Sequence, residues 1–271
     1  MEKPRLIASD VDGTLLTPLE KLSERTRGVV RRVLADGVPF VLASGRPPRY
    51  IPSVAKPAGL TGYTVCANGA VLYDAGADRV LEVLGKLTPE LLHDVGVALR
   101  TAIPGCRFAA ERVGERALDP GFQNLVAEPS YFNPWGDTDC HTVPLAEVLG
   151  HDAVKLLVSH TEMTSDAMAE AAREVLDGSV DITFSAGGGL IEVAAHGVTK
   201  ATGLAEVAER LGIPAERTIA FGDMPNDLEM LRWAGHGVAM ANAHPEVLAT
   251  ADEITAPNSE DGVAQVLERW F

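Results

Sequence analysis

No apolar run in this sequence approaches the ~20 residues that a membrane-spanning helix needs, so no membrane partner is expected. The stretch "MEKPRLIASD" reaches an aspartate before any long apolar region forms, and no secretory leader is expected from it. Cysteine is scarce. Cys66, Cys106 and Cys140 are too few, and odd in number, for a disulfide framework, which points to a reduced, cytoplasmic setting. Basic residues are outnumbered, 23 Lys and Arg against 38 Asp and Glu, for a net charge of −15. Such a chain repels phosphate backbones, so nucleic acid is not an expected partner. There is no G-x-S-x-G elbow and no evident Ser/His/Asp arrangement, which argues against acyl transfer. The glycine run "SAGGGL" lacks the G-x-G-x-x-G pattern of a dinucleotide loop. Internal repeats and low-complexity tracts are also missing.

What is present is a globular composition, 46% hydrophobic over 271 residues, long enough for one large domain or two modest ones. Both ends of the chain alternate strand and helix. Leu6–Ser9 reads as a buried strand. "LSERTRGVVRRVLADG" sets Val29, Val30, Val33 and Leu34 on one helical face, with Ser23 as N-cap and Gly37 as stop. Val38–Ser44 is a second buried run, and "YTVCANGAVLYD" reads as a strand, a turn at Asn68-Gly69 and a returning strand. Toward the end, "TKATGLAEVAERLGI" is a helix, "RTIAF" a strand, "DLEMLRWAG" a helix, "HGVAMANA" a strand and "SEDGVAQVLERWF" a closing helix. This alternation predicts an α/β fold with a Rossmann-like, mostly parallel sheet covered on both faces. The middle differs in texture. It holds Pro104, Pro120, Pro129, Pro134 and Pro144, strand-like pieces such as "AVKLLVSH", and one clear helical stretch, "SDAMAEAAREVLDG". Residues 83–189 are therefore expected to form an inserted α+β domain between core segments 1–82 and 190–271, with "SAGGGL" a hairpin turn or hinge at its return.

In open α/β sheets, ligands bind beyond the carboxyl ends of the strands. The set at those ends is Asp10 and Asp12, then Ser44-Gly45-Arg46, then Asn68, and finally Asp223 with Asn226 and Asp227. Lys200, at the start of a helix, can join them. Acids, a hydroxyl, a lysine and small turn residues suit phosphoryl transfer. Each also has a plainer reading. Asp10 and Asp12 could be turn formers, Ser44–Arg46 an ordinary strand-to-helix connection, and Lys200 a solvated helix start. Asn226 and Asp227 could cap a helix, and Asn68 could serve its hairpin alone. Cys140-His141, with Asp137 and Asp139 nearby, has no second correctly spaced pair and is not expected to bind metal. His196 reads as a loop histidine, and Met224-Pro225 as shaping the loop around Asp223.

In order, "DVDGTLL", "LASGR", Lys200 and "GDMPND" resemble the four motifs of the haloacid dehalogenase (HAD) superfamily of phosphohydrolases. The insertion is similar to the C2-type cap of its Cof-like branch. The resemblance implies a HAD-type core beneath a cap that serves as a substrate-specificity lid. It implies Asp10 as a nucleophile forming an aspartyl-phosphate, and Asp12 as general acid and then base. It further implies Mg²⁺ held by Asp10, Asp223 and the backbone carbonyl of Asp12, with Asp227 in support. Lys200 would supply fixed positive charge, and Thr14, Ser44, Gly45, Arg46, Asn68 and Asn226 would surround the phosphate. The chemistry is consistent: a carboxylate is a recognised covalent nucleophile, and residues two apart in extended backbone point to the same side. A metal would also make attraction local in a chain of charge −15. Two departures, Ala201 after Lys200 and the Met224-Pro225 pair, remove no reacting group. The expected activity is a Mg²⁺-dependent phosphatase of a small phosphorylated metabolite, a sugar phosphate among the options. A phosphomutase using the same intermediate and a non-catalytic phosphate-binding module are the alternatives. Arg107, Arg112 and Arg116 are candidate anion contacts from the cap, although a solvated face suits them equally. A monomer and a dimer both fit the sequence.

Overall fold

The computed structural model describes residues 2–132, 140–184 and 188–271. Its strands are β1 (Leu6–Ser9), β2 (Phe40–Ala43), β3 (Tyr63–Cys66), β4 (Val71–Asp74), β5 (Arg79–Val83), β6 (Arg107–Glu111), β7 (Leu125–Ala127), β8 (Cys140–Thr142), β9 (Lys155–Ser159), β10 (Val180–Thr183), β11 (Leu190–Ala195), β12 (Thr218–Gly222), β13 (His236–Met240) and β14 (Glu253–Thr255). They form two sheets, one of order β14-β13-β12-β1-β2-β3-β4-β5 and one of order β10-β11-β9-β6-β7-β8.

In the first sheet β14 through β3 are parallel, and β4 and β5 return antiparallel. β1, β2 and β12 are buried along their whole length, as strands covered on both faces must be. Alternate side chains feed two apolar layers. Ile7, Leu42 and Phe221 join Val29, Val33 and Val266 of helices Glu24–Ala35 and Gly262–Leu267. Leu6, Ala8 and Val41 join Leu204, Met230 and Val247 of helices Lys200–Leu211, Leu228–Trp233 and Pro245–Thr250. Ser23 caps its helix by accepting from the Thr26 N–H, and Gly37 follows at φ +76°. The α/β, mostly parallel core expected from the sequence is thus the observed one.

The second sheet packs on helices Pro89–Ala102 and Ser165–Val175 through Leu92, Leu99, Phe108, Leu156 and Met168. Two features differ from the sequence pattern, which predicts a single helical stretch in the middle. Pro89–Ala102 is a longer helix, and its signals were present: Thr88 accepts from the Leu91 N–H, Pro89 sits at the first helical position, and Leu92, Val95 and Leu99 share a face. β11, placed by the sequence reading in the second core segment, instead pairs antiparallel with β9 and β10. Its apolar residues suit either sheet, and only the ladder partner decides. The turn at Asn68-Gly69 is a four-residue connection closed by Cys66 opposite Val71, with positive φ at Ala67, Asn68 and Gly69. Ser185, Ala186 and Gly187 of the glycine run lie outside the described residues. Among the described residues, no helix is long and apolar enough to cross a membrane.

Candidate active site

Because β1, β2, β3, β12 and β13 run parallel, the loops that follow them leave the sheet at one edge. β1 ends as the Asp10 N–H donates to the Phe221 carbonyl at 2.9 Å. The chain then turns through Gly13 at φ +75°, where a Cβ would stand 2.1 Å from Asp223 Oδ2. Only glycine permits both the turn and this approach. Thr14 Oγ1 donates to Asp223 Oδ1 at 2.9 Å, tying the first loop to the one after β12.

Lys200 crosses beneath this junction. Thr199 and Thr202 form a reciprocal capping box that fixes the helix start. Lys200, 0% exposed, reaches Asp10 Oδ1 at 2.5 Å and Asp227 Oδ1 at 2.7 Å. It is therefore no solvated helix start. Asp227 Oδ2 accepts from the N–H groups of Asp223 and Met224, so both its oxygens are engaged and it acts as a buttress.

The electrostatics are unbalanced. Asp10, Asp223 and Asp227 each present an oxygen within 4.8 Å of the others, and all three are buried. Burial pushes the Asp10 carboxyl well above its usual range; Lys200 pulls it down, while Asp227, Asp223 and Asp12 push it further up. Burial, then Asp227, raises Asp223 to about 7 against the Thr14 hydrogen bond and Lys200. Burial opposes the charge on Lys200, yet Asp10 and Asp227 outweigh it and hold the ammonium protonated. One ammonium does not neutralise three buried carboxylates. A hard divalent cation on oxygen donors would, and the donor set fits Mg²⁺ in that respect.

Asp12 stands apart from the cluster. Arg46 grips its carboxylate with both arms, Nε to Oδ2 at 2.7 Å and Nη2 to Oδ1 at 2.5 Å. Ser44 is buried, and its hydroxyl accepts from the Arg46 N–H. Asn68 does more than shape a hairpin: its Oδ1 accepts from Asn226 Nδ2 at 3.0 Å, and its Nδ2 donates to Glu192 Oε2 at 2.7 Å. Lys155 Nζ donates to the Gly45 carbonyl at 2.7 Å. Glu192 and Lys155 escaped the sequence reading, as did Asn242, whose Nδ2 donates to the Gly13 carbonyl at 2.9 Å. A lone charge inside an apolar strand ("AVKLLVSH", "LIEVAA") was the available signal for the first two.

Other candidates are engaged elsewhere. Arg107 donates to the Gly105 and Cys106 carbonyls, and Arg112 to the Glu147 carbonyl. His196 pairs with Asp181 on the surface. Asp137 and Asp139 lie outside the described residues, among which Asp10, Asp223 and Asp227 are the sole acid, histidine or cysteine group spaced to hold a metal. Met224 packs into the apolar cluster of the second sheet, which accounts for its size in that loop. A cavity of about 450 Å³ opens between the sheets, touching Lys200, Asn68 and Asn226 on one side and Val180, Ile182 and Ala194 on the other.

Comparison with known proteins places this geometry. Residues 7–267 match the model of the haloacid dehalogenase-like hydrolases. The 5-amino-6-(5-phospho-D-ribitylamino)uracil phosphatase YitU of Bacillus subtilis (strain 168) is 33% identical over 99% of this chain and 98% of its own length. The phosphatase of the same name, YcsE, from the same organism is 30% identical over 98% of this chain and 95% of its own. Among solved structures, a haloacid dehalogenase-like hydrolase from Bacteroides thetaiotaomicron superposes with a TM-score of 0.78 at 27% identity, covering 99% of this chain and 100% of that one. With its parallel core, its acid cluster at the carboxyl edge and a family match over nearly the whole length, the chain belongs to the haloacid dehalogenase-like hydrolases.

Proposed function

We propose that this hydrolase is a Mg²⁺-dependent phosphatase of small phosphorylated metabolites, acting through an aspartyl-phosphate on Asp10. The observation that carries the reading is the buried cluster in which Lys200 bridges Asp10 and Asp227 beside Asp223. Its excess of negative charge calls for a cation, and an anionic substrate could not approach without one. Bound Mg²⁺ would orient the phosphate and offset its charge. Asp10 and Asp223, with the Asp12 carbonyl, would hold it, and Asp227 would brace them.

The chain's own groups then divide the work. A carboxylate oxygen of Asp10 attacks phosphorus as the ester P–O bond breaks, and Asp12, protonated and freed from Arg46 in the reacting state, gives its proton to the leaving oxygen. Asp12 next takes a proton from water, whose oxygen attacks the same phosphorus, freeing phosphate and restoring Asp10. Lys200 holds Asp10 in place and favours its ionised form against burial and the neighbouring acids. Ser44, Arg46, Thr14, Gly45, Asn226 and Asn68 line the loops around the phosphate. The insertion, residues 83–189 extended to take in β11, serves as a lid that shuts out bulk water and reads the organic part of the substrate. Both B. subtilis relatives act on a 5-phospho-D-ribitylamino compound, so polyol and sugar phosphates are the first class to test.

The test is phosphate release from a panel of such esters with and without Mg²⁺. Asp10→Asn is expected to lower turnover by about 10³-fold or more. Undiminished release by that variant would refute the nucleophile assignment.

A further inference from the structure

Three strand residues of the second sheet are charged and buried, Glu111, Lys155 and Glu192, and the last two are paired within the sheet. Lys155 opens β9, Glu192 lies third in β11, and they are 4% and 1% exposed. Packing does not require a buried ion pair, since apolar side chains of similar volume stabilise an interior as well or better. Both groups, moreover, reach out of their own sheet into the loops of the other. Lys155 binds the Gly45 carbonyl, Glu192 binds Asn68, and Asn68 binds Asn226. Gly45 is wedged among them: a Cβ there would lie 3.1 Å from Asn68 Oδ1 and 3.7 Å from Lys155 Nζ. A single ion pair therefore gathers the loops after β2, β3 and β12, which carry Ser44 and Arg46, Asn68, and Asp223.

The chain of contacts has one direction. A carboxylate paired with an ammonium only accepts, so Asn68 must turn its amide nitrogen to Glu192 and its oxygen to Asn226. Asn226 must then answer with its own nitrogen. The amide orientations beside the catalytic cluster are set from the inserted sheet.

Resting on the phosphatase reading, we infer that Lys155 and Glu192 are positioning residues of phosphoryl transfer. They hold the phosphate-side loops in register with the lid seated, and do so whatever the leaving group. The insertion then contributes to the chemical step itself as well as to the choice of substrate.

The test uses the full chain carrying Lys155→Met and Glu192→Gln together, which removes both charges of the pair. Lys155→Gln with Glu192→Gln, which keeps two polar side chains of similar size without charge, is the second variant and carries the comparison should the first fail to fold. Turnover is measured with p-nitrophenyl phosphate and with the best metabolite substrate, alongside the inhibition constant for orthovanadate, which becomes five-coordinate when a nucleophile adds to it and so mimics the reacting phosphorus with no leaving group. We expect kcat to fall about 10- to 100-fold with both substrates, KM to change little, and the vanadate constant to rise by the same factor. A merely structural role would lower kcat by reducing the folded fraction and leave the vanadate constant where it was. Loss confined to the larger substrate would make the pair a specificity device. Either result, or undiminished kcat in the folded variants, overturns the inference. No phosphate release from the unsubstituted chain with any ester would instead refute the phosphatase reading on which it rests.

Discussion

Replacing Asp223 by asparagine is expected to stabilise the metal-free protein at neutral pH while abolishing its response to Mg²⁺. Burial and the nearby Asp227 raise the Asp223 carboxyl to about 7, against an ordinary value of 3.8. A carboxyl raised in this way binds its proton more tightly in the folded chain than in the unfolded one. Below about pH 4 both states are protonated, and the group costs nothing. From about pH 4 to 7 the unfolded chain ionises first, so stability falls. Above about pH 7 both are ionised, and the full penalty applies. Roughly three units at about 1.4 kcal/mol each is an upper figure of about 4 kcal/mol, part of which the cluster shares with Asp10. Taking about half of it, ~2 kcal/mol, at about 2–4 °C per kcal/mol for a chain of this size, Asp223→Asn should melt ~4–8 °C higher than the parent. The assay is thermal unfolding in chelator at pH 8 and pH 5, repeated with Mg²⁺. The gain should appear at pH 8, shrink at pH 5, and be accompanied by loss of the Mg²⁺-induced rise expected of the parent. Equal melting at pH 8 without metal, or a lower value for the variant, would refute the claim that the cluster is short of positive charge.

Lys200→Met leaves Asp10 and Asp227 facing each other without their ammonium, and should cost about 3–5 kcal/mol at neutral pH, read as a lower denaturant midpoint. Mg²⁺ should recover part of that loss without restoring turnover. Gly13→Ala forces a Cβ to within 2.1 Å of Asp223 Oδ2 at a backbone angle alanine resists, and should cut kcat/KM about 100-fold while circular dichroism still reports both sheets.

Local pattern was enough for much of this protein. β1, β2 and β12 were legible because a strand buried on both faces reads as an unbroken apolar run. The helix Glu24–Ala35 was legible through its serine cap and the spacing of its valines. Polar residues at successive strand ends were bound to share an edge once the sheet was parallel, and Asp10, Lys200, Asp223 and Asp227 do meet there. The helix Pro89–Ala102 was equally written in its cap and period, but lay hidden in a proline-rich stretch.

Other features had no local signature. "LIEVAA" reads as a strand for either sheet, and only its ladder with β9 and β10 assigns it. The Arg46 grip on Asp12 and the Asn242 bond to Gly13 join residues 34 and 229 positions apart. Lys155 and Glu192 look like interruptions of apolar strands until the opposing loops are in place. Which apolar residues are buried and which polar groups share the sheet edge can be read along the chain, because periodicity and strand direction are local properties. Which charges are buried, and which partner each of them meets, depends on the assembled fold, because a charge survives burial through groups that folding brings from elsewhere in the chain.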